Sequence, residues 1–281
     1  MPKQIKPMML ILGGLILTIY VMICGVLRWK QTKLIFFPSP VVVATPKDYQ
    51  LAYEEVWLPV STGKIHGWWI PASTLEAPVI LYLHGNGSNN GDTIGQATRF
   101  HQLNFSTLLI DYRGYGYSSG PFPNETLVYE DAEAAWQYLT VERKINPNKI
   151  IVYGHSLGGA IALELATRHP ELAGLIVNGT FTSMRAIAAY MKQYRILPLD
   201  WILTQKFDSI TKIKTLKTPI LLMHGIEDRV VPAWMSQELF TATAAPKQLW
   251  LVPKAGHNDL AKVAGEEYLE KIKQFVEQVT K

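Results

Sequence analysis

Cysteine is nearly absent from this chain: Cys24 is the only one in 281 residues. A single thiol cannot close an intramolecular disulfide, so a disulfide framework and paired-cysteine zinc sites are both excluded. The seven histidines show no H-x-x-x-H spacing, so no metal is predicted. There is no glycine-rich phosphate loop with its lysine and no dinucleotide fingerprint, and no cofactor is expected. Nor is charge of one sign in large excess. Lys and Arg number 27 against 23 Asp and Glu, a net charge of +4 with a pI of about 8.9. That balance suits mild attraction to anionic lipid surfaces and gives no sign of nucleic-acid binding. Internal repeats, low-complexity tracts and dividing linkers are missing too. With the apolar N-terminus set aside, roughly 250 residues remain, within the range of one α/β domain.

What is present begins with that N-terminus. Met8 to Leu27 carries no charge, and as a helix it would cover roughly 30 Å, about one bilayer core. A cleaved signal peptide has a shorter apolar region, about 7–15 residues, and a small-residue cleavage site, whereas Val26-Leu27-Arg28-Trp29 offers none. Ile23 before Cys24 is bulkier than a lipoprotein signal allows. The segment therefore reads as an uncleaved single-pass anchor over residues 1–30, with the lipid bilayer as partner and a separable domain at 31–281. Lys3 and Lys6 on one side nearly balance Arg28, Lys30 and Lys33 on the other, so charge leaves the orientation open. Trp29, Phe36 and Phe37 are expected at headgroup level.

Downstream, strand-like runs fall near Tyr53–Leu58, Ile65–Ile70, Val79–Leu83, Thr107–Ile110, Lys149–Tyr153, Gly174–Asn178, Ile220–Met223 and Gln248–Val252. After the first two they alternate with helical stretches near Asp92–Leu103, Asn124–Val141, Ser156–Arg168, Pro232–Ala244 and Glu266–Val279. Short buried strands alternating with helices predict an α/β fold, a mostly parallel eight-stranded sheet with helices on both faces. Ser61-Thr62-Gly63 is a turn signal, so the first two strands should be antiparallel. The apolar stretch at about 180–208 stands outside the alternation and reads as a short cap or as an ordinary helix pair over the sheet edge.

Gly154-His155-Ser156-Leu157-Gly158 lies between a β-branched run and a run of good helix formers. Strand, sharp turn and helix with a serine at the apex is a nucleophile elbow: its glycines allow a strained turn close to the sheet. A serine hydroxyl is a weak nucleophile at neutral pH, so a base and an orienting acid are required. His257 follows the last strand. The loop after Pro219–Met223 offers two adjacent acids, Glu227 and Asp228. All three loops follow strands, as catalytic loops in open parallel sheets do. An elbow of this kind draws oxyanion donors from the residue after the nucleophile and from the loop after the third strand, which points to the backbone N–H groups of Leu157 and Asn86. Asp111 and Arg113 read as structural ties between loops.

From about Gln31 onward the chain resembles the α/β-hydrolases, and more narrowly the N-terminally anchored ABHD-type serine hydrolases. The matching residues are Gln31–Pro38, His84-Gly85-Asn86-Gly87, Asp111–Gly120, Gly154–Gly159, His224-Gly225-Ile226-Glu227-Asp228 and Gly256-His257. The resemblance to an H-G-x-x-D-x-x-V loop implies Asp228 as the acid, completing Ser156, His257 and Asp228. It also implies an α/β-hydrolase fold and hydrolysis of an acyl ester or thioester, with lipid and acyl-protein hydrolases among the relatives. A serine peptidase of aminopeptidase type and a catalytically silent binding protein stay open on the same scaffold. Oligomeric state is not readable.

Overall fold

Aliphatic and β-branched runs of five to eight residues form the sheet. In chain order the strands are β1 (Glu54–Val60), β2 (Gly63–Ile70), β3 (Val79–Leu83), β4 (Ser106–Ile110), β5 (Ile150–His155), β6 (Gly174–Asn178), β7 (Ile220–Gly225) and β8 (Lys247–Val252). The helices are α1 (Ile5–Ile35), α2 (Asn90–Gln102), α3 (Glu125–Gln137), α4 (Leu157–Arg168), α5 (Met184–Tyr190), α6 (Leu199–Ile202), α7 (Ser209–Lys212), α8 (Trp234–Ala242), α9 (Leu260–Ala264) and α10 (Glu266–Val279). The computed structural model describes residues 5–74 and 76–280. Lys3, used above to weigh the charge flanking the apolar run, lies outside them.

The strand order is β1-β2-β4-β3-β5-β6-β7-β8. β1 and β2 form the expected hairpin, Val60 facing Gly63, and β2 also pairs antiparallel with β4. Every later pairing is parallel. This is the α/β-hydrolase fold predicted above. Central strands are buried on both faces, which is why they read as continuous apolar runs. Leu81, Leu108, Val152 and Leu175 pack on one side with Val128 of α3 and Leu163 of α4. Ile80, Leu109, Ile151 and Leu221 pack on the other with Phe100 of α2 and Phe275 of α10.

Several boundaries differ from the sequence-based ones. β5 runs on to His155, because parallel pairing of His155 with Asn178 extends the strand to the elbow. α3 stops at Gln137 and gives way to a wider turn at Tyr138–Glu142. The largest difference is in α1. It continues through residue 30, the expected end of the anchor, to Ile35. Met8–Ile19 is exposed throughout, whereas Tyr20, Cys24, Leu27, Gln31 and Ile35 are wholly or partly covered. Those five recur every three or four residues, one helical face packed against the domain. Phe36, expected at the lipid headgroups, is instead buried with its ring 5.9 Å from that of Phe207; Trp29 and Phe37 are exposed.

Arg113 ties loops together, as read from the sequence. It is fully buried, and its Nε and backbone N–H donate to the two oxygens of the equally buried Asp131, both at 2.8 Å. Further donations go to Glu130, Thr62 and the Leu127 carbonyl. Breaking a buried pair leaves an uncompensated charge, so Asp131→Ala should cost about 3 kcal/mol of stability. Urea denaturation measures this, and a loss below about 1 kcal/mol would place the pair among ordinary surface bridges.

Candidate active site

Everything at the site follows from how tightly β5 turns into α4. Ser156 has φ 53° and ψ −116°, left-handed backbone that an L-residue with a Cβ rarely takes. Such strain costs on the order of 1–3 kcal/mol and persists only where the surroundings enforce it. They do so by close approach. A Cβ on Gly154 would run into the Gly158 carbonyl and Gly159, and one on Gly158 into the Leu83 and His84 carbonyls. The Ser156 hydroxyl does not cap its own helix. It reaches out to the loop between β8 and α9, where His257 Nε2 lies 3.0 Å away.

On its other side His257 Nδ1 lies 2.6 Å from Asp228 Oδ2. A carboxylate only accepts, so Nδ1 carries the hydrogen and Nε2 offers its lone pair to the Ser156 O–H. Asp228 sits on the loop after β7. The backbone N–H groups of Val230 and Val231 both donate to its Oδ1 at 2.8 Å. Burial alone would push its carboxyl up. Hydrogen bonds from His224 and His257, the charge of His257 and the Val231 N–H outweigh burial and hold it well below the usual carboxylate range. Glu227, the adjacent acid, is exposed and donates its backbone N–H to the Ala255 carbonyl.

His224, named above only as part of a matching loop motif, has a role that the sequence reading did not assign. It is fully buried, with Nε2 2.8 Å from the Val231 carbonyl and 3.2 Å from Asp228 Oδ2. Both partners accept, so Nε2 bears the hydrogen, and the Ser236 hydroxyl 2.7 Å from Nδ1 donates there. The signal lay in the loop motif, which fixes a histidine four residues before the acid. His155 also borders the site, its ring centroid 5.1 Å from that of His257. Burial and the neighbouring His257 push its pKa down to about 4, so at neutral pH the His155 ring is uncharged.

Asn86 and Leu157 border the same cavity as Ser156. Leu157 is the first residue of α4, where backbone N–H groups lack intrahelical partners. The Asn86 side chain is a joint. Its Oδ1 accepts from the Phe37 N–H at 2.9 Å and the Tyr115 hydroxyl at 2.8 Å, and its Nδ2 donates to the Ile35 carbonyl. The end of α1 is thereby fastened to the loop after β3. Asp111 stands apart from the cavity; it is fully buried and accepts the Asn90 N–H at 2.8 Å.

The cavity holds about 860 Å³, near the upper end for small-molecule sites. Its wall is mainly apolar and includes Phe181, Met184, Ile187 and Leu203 of the 180–208 segment and Leu27 and Leu34 of α1. Polar side chains in the same wall include Gln96 and Arg99 of α2, Asn258 and Lys262. The sequence treated the N-terminal run as separable from the site. Its last turns are instead part of the cavity wall, and Gln31, buried, locks them there. Its Nε2 donates to the Ile202 carbonyl at 3.0 Å while its Oε1 accepts from the N–H groups of Thr204 and Gln205.

Known proteins resemble this chain in sequence and in fold. A family model described as "Serine aminopeptidase, S33" matches residues 76–211. An uncharacterized protein of Mycobacterium tuberculosis is 34% identical over 249 residues, covering 88% of this chain and 87% of that one. Protein bem46 of Schizosaccharomyces pombe is 31% identical over 263 residues, covering 88% and 86%. The human alpha/beta hydrolase domain-containing protein 17B is 34% identical over 204 residues, 71% of this chain and 66% of its own. Among solved structures, a Pyrococcus furiosus esterase superposes with a TM-score of 0.73 at 22% identity, covering 87% of this chain and 99% of that one. That likeness bears on the fold.

Proposed function

The chain belongs to the α/β-hydrolase family, and from that premise we propose a membrane-associated serine hydrolase that cleaves carboxylic esters or thioesters of apolar acyl groups. The observation that carries this reading is the run of contacts from Asp228 through His257 to Ser156, at 2.6 and 3.0 Å, with Ser156 and His257 lining a mainly apolar cavity.

In this reading Ser156 Oγ attacks the acyl carbonyl carbon while its proton passes to His257 Nε2. Asp228 holds the ring and stabilises the imidazolium. The carbonyl electrons become an oxyanion against the Leu157 and Asn86 N–H groups; one such donor is worth about 3–4 kcal/mol in the transition state. Collapse of the tetrahedral intermediate breaks the carbonyl–oxygen or carbonyl–sulfur bond, and the leaving group takes the proton from His257. Water then attacks the acyl-enzyme, giving its proton to His257 and releasing the acid as Ser156 regains its hydrogen.

The mainly apolar wall of the cavity favours an acyl chain over a peptide. An aminopeptidase needs a free carboxylate for the substrate ammonium. Asp92, the acid among the described cavity-lining residues, is already partly engaged in capping α2, its Oδ2 accepting the Asn89 N–H at 3.0 Å. Matched p-nitrophenyl ester, thioester and anilide substrates test the class. Ester or thioester turnover with little anilide turnover is expected, and preferred cleavage of an aminoacyl anilide would overturn it.

One described helix, α1, is long and apolar enough to cross a membrane. The protein should therefore stay in the membrane fraction through washes with 1 M salt (roughly 3 Å screening length) and leave with detergent, because salt screens surface charge without extracting a buried apolar helix. Release by salt alone would contradict membrane insertion.

A further inference from the structure

α1 faces two ways. Over its first exposed part, Met8–Ile19, no side chain is covered by the domain, a length of about 18 Å at about 1.5 Å per residue. A bilayer core is about 30 Å thick, so this part alone is too short to cross it. Reaching that depth takes the helix on to about Leu27, past Tyr20 and Cys24, which already lie against the domain. The cap segment then goes in with it. Its outer surface suits lipid: Ile196 is 79% exposed and Trp201 51%. Tyr20 donates its hydroxyl to the Ile196 carbonyl at 2.7 Å, and Arg28 donates to that of Trp201, so helix and cap form one seam. Lys30 and Lys33 lie beyond this point and mark headgroup level. The inner side of the seam is the apolar cavity wall at Leu27, Leu34, Ile187 and Leu203.

We propose that the substrate is a bilayer-resident acyl ester or thioester whose chain crosses from the lipid along the seam between α1 and the cap, and that Leu27 and Leu34 are specificity-determining residues of the acyl site. This rests on the serine-hydrolase reading above. In this assignment the acyl tail lies against the apolar wall supplied by α1 and α5, and the polar side chains of the same cavity, Arg99, Asn258 and Lys262, are left for the leaving group. Because Asn86 fastens Ile35 and Phe37 to the loop after β3, helix position and oxyanion loop are also mechanically joined.

The experiment uses full-length protein in phosphatidylcholine vesicles and a hexadecyl fluorophosphonate bearing a diazirine at the tail end. Phosphonylation fixes the head at Ser156; photolysis then marks what the tail touches, and peptide mass spectrometry reads the site. Cross-links on Leu27, Leu34 or the cap at 184–203 are expected. Phosphonylated Ser156 with cross-links on α2 or α9 overturns the proposal alone. Absence of phosphonylation overturns the serine-hydrolase reading, and the proposal with it. A second measurement needs no cross-link. Leu27→Trp should lower the ratio of long-chain to short-chain ester kcat/KM by about tenfold or more, the order that altered apolar pocket volume commands. An unchanged ratio in protein that still labels with a small fluorophosphonate contradicts the assignment.

Discussion

Ser156→Ala protein should hydrolyse no p-nitrophenyl ester above background and take up no fluorophosphonate, while unfolding within a few degrees of the parent. In the best-measured serine enzymes, loss of the nucleophile costs on the order of 10⁶ in kcat. The expectation here is set by geometry. Among the described residues the Ser156 hydroxyl makes one side-chain hydrogen bond, to His257 Nε2, and it is held out of its own helix cap. Removing it therefore takes away the attacking atom and little packing. His257→Ala should be nearly as severe, since the groups act as a unit and the double variant should be scarcely worse than either single one. Labelling that persists on the alanine variant would put the nucleophile elsewhere.

Asp228→Asn should lower kcat by about 10⁴, as the equivalent change does in well-studied triads, through the wrong histidine tautomer. The two Val N–H groups hold one oxygen of the side chain, so an amide nitrogen would take the other position and face His257 Nδ1. Two donors cannot pair. The ring must then present a lone pair to the amide and a hydrogen to Ser156, and its base is lost. Glu227→Gln, on an exposed side chain, should stay within about 0.5 kcal/mol of the parent in stability and barrier alike. The pH dependence has a definite sign. A carboxyl held below its unfolded value of about 3.9 contributes stability that is fully present above that value and lost as pH falls toward its folded pKa. The stability difference between parent and Asp228→Asn should therefore be largest near neutrality and shrink below about pH 4. A difference that grows in acid would reverse the assignment.

Local pattern carried most of the fold and pointed to Ser156 and His257, while the choice of Asp228 over Glu227 came from the resemblance of its loop. The strands of a parallel sheet are buried on both faces, so Val79–Leu83 and Ile150–Val152 stand out as apolar runs. A strained elbow admits only glycine at 154 and 158, so it leaves a fixed spelling. What could not be read depends on partners far away in sequence. Phe36 looks like an interfacial aromatic until Phe207 covers it. Gln31 looks like the polar start of a domain, yet it is a buried lock between α1 and residues 202–205. His224 was passed over because its ring hydrogen bonds, to Val231, Ser236 and Asp228, all form across a folded loop. An apolar run long enough for a bilayer gives no hint that one face of its last turns also walls a cavity.

Rapid mixing of full-length protein with a slowly hydrolysed acyl ester, acid quench and peptide mass spectrometry tests the chemistry most directly. A serine hydrolase working through Ser156 must show the acyl mass on the peptide containing that residue, rising before free acid appears and absent from Ser156→Ala protein. Steady hydrolysis with no acyl mass on Ser156 at any time, or with it on another residue, would contradict the mechanism.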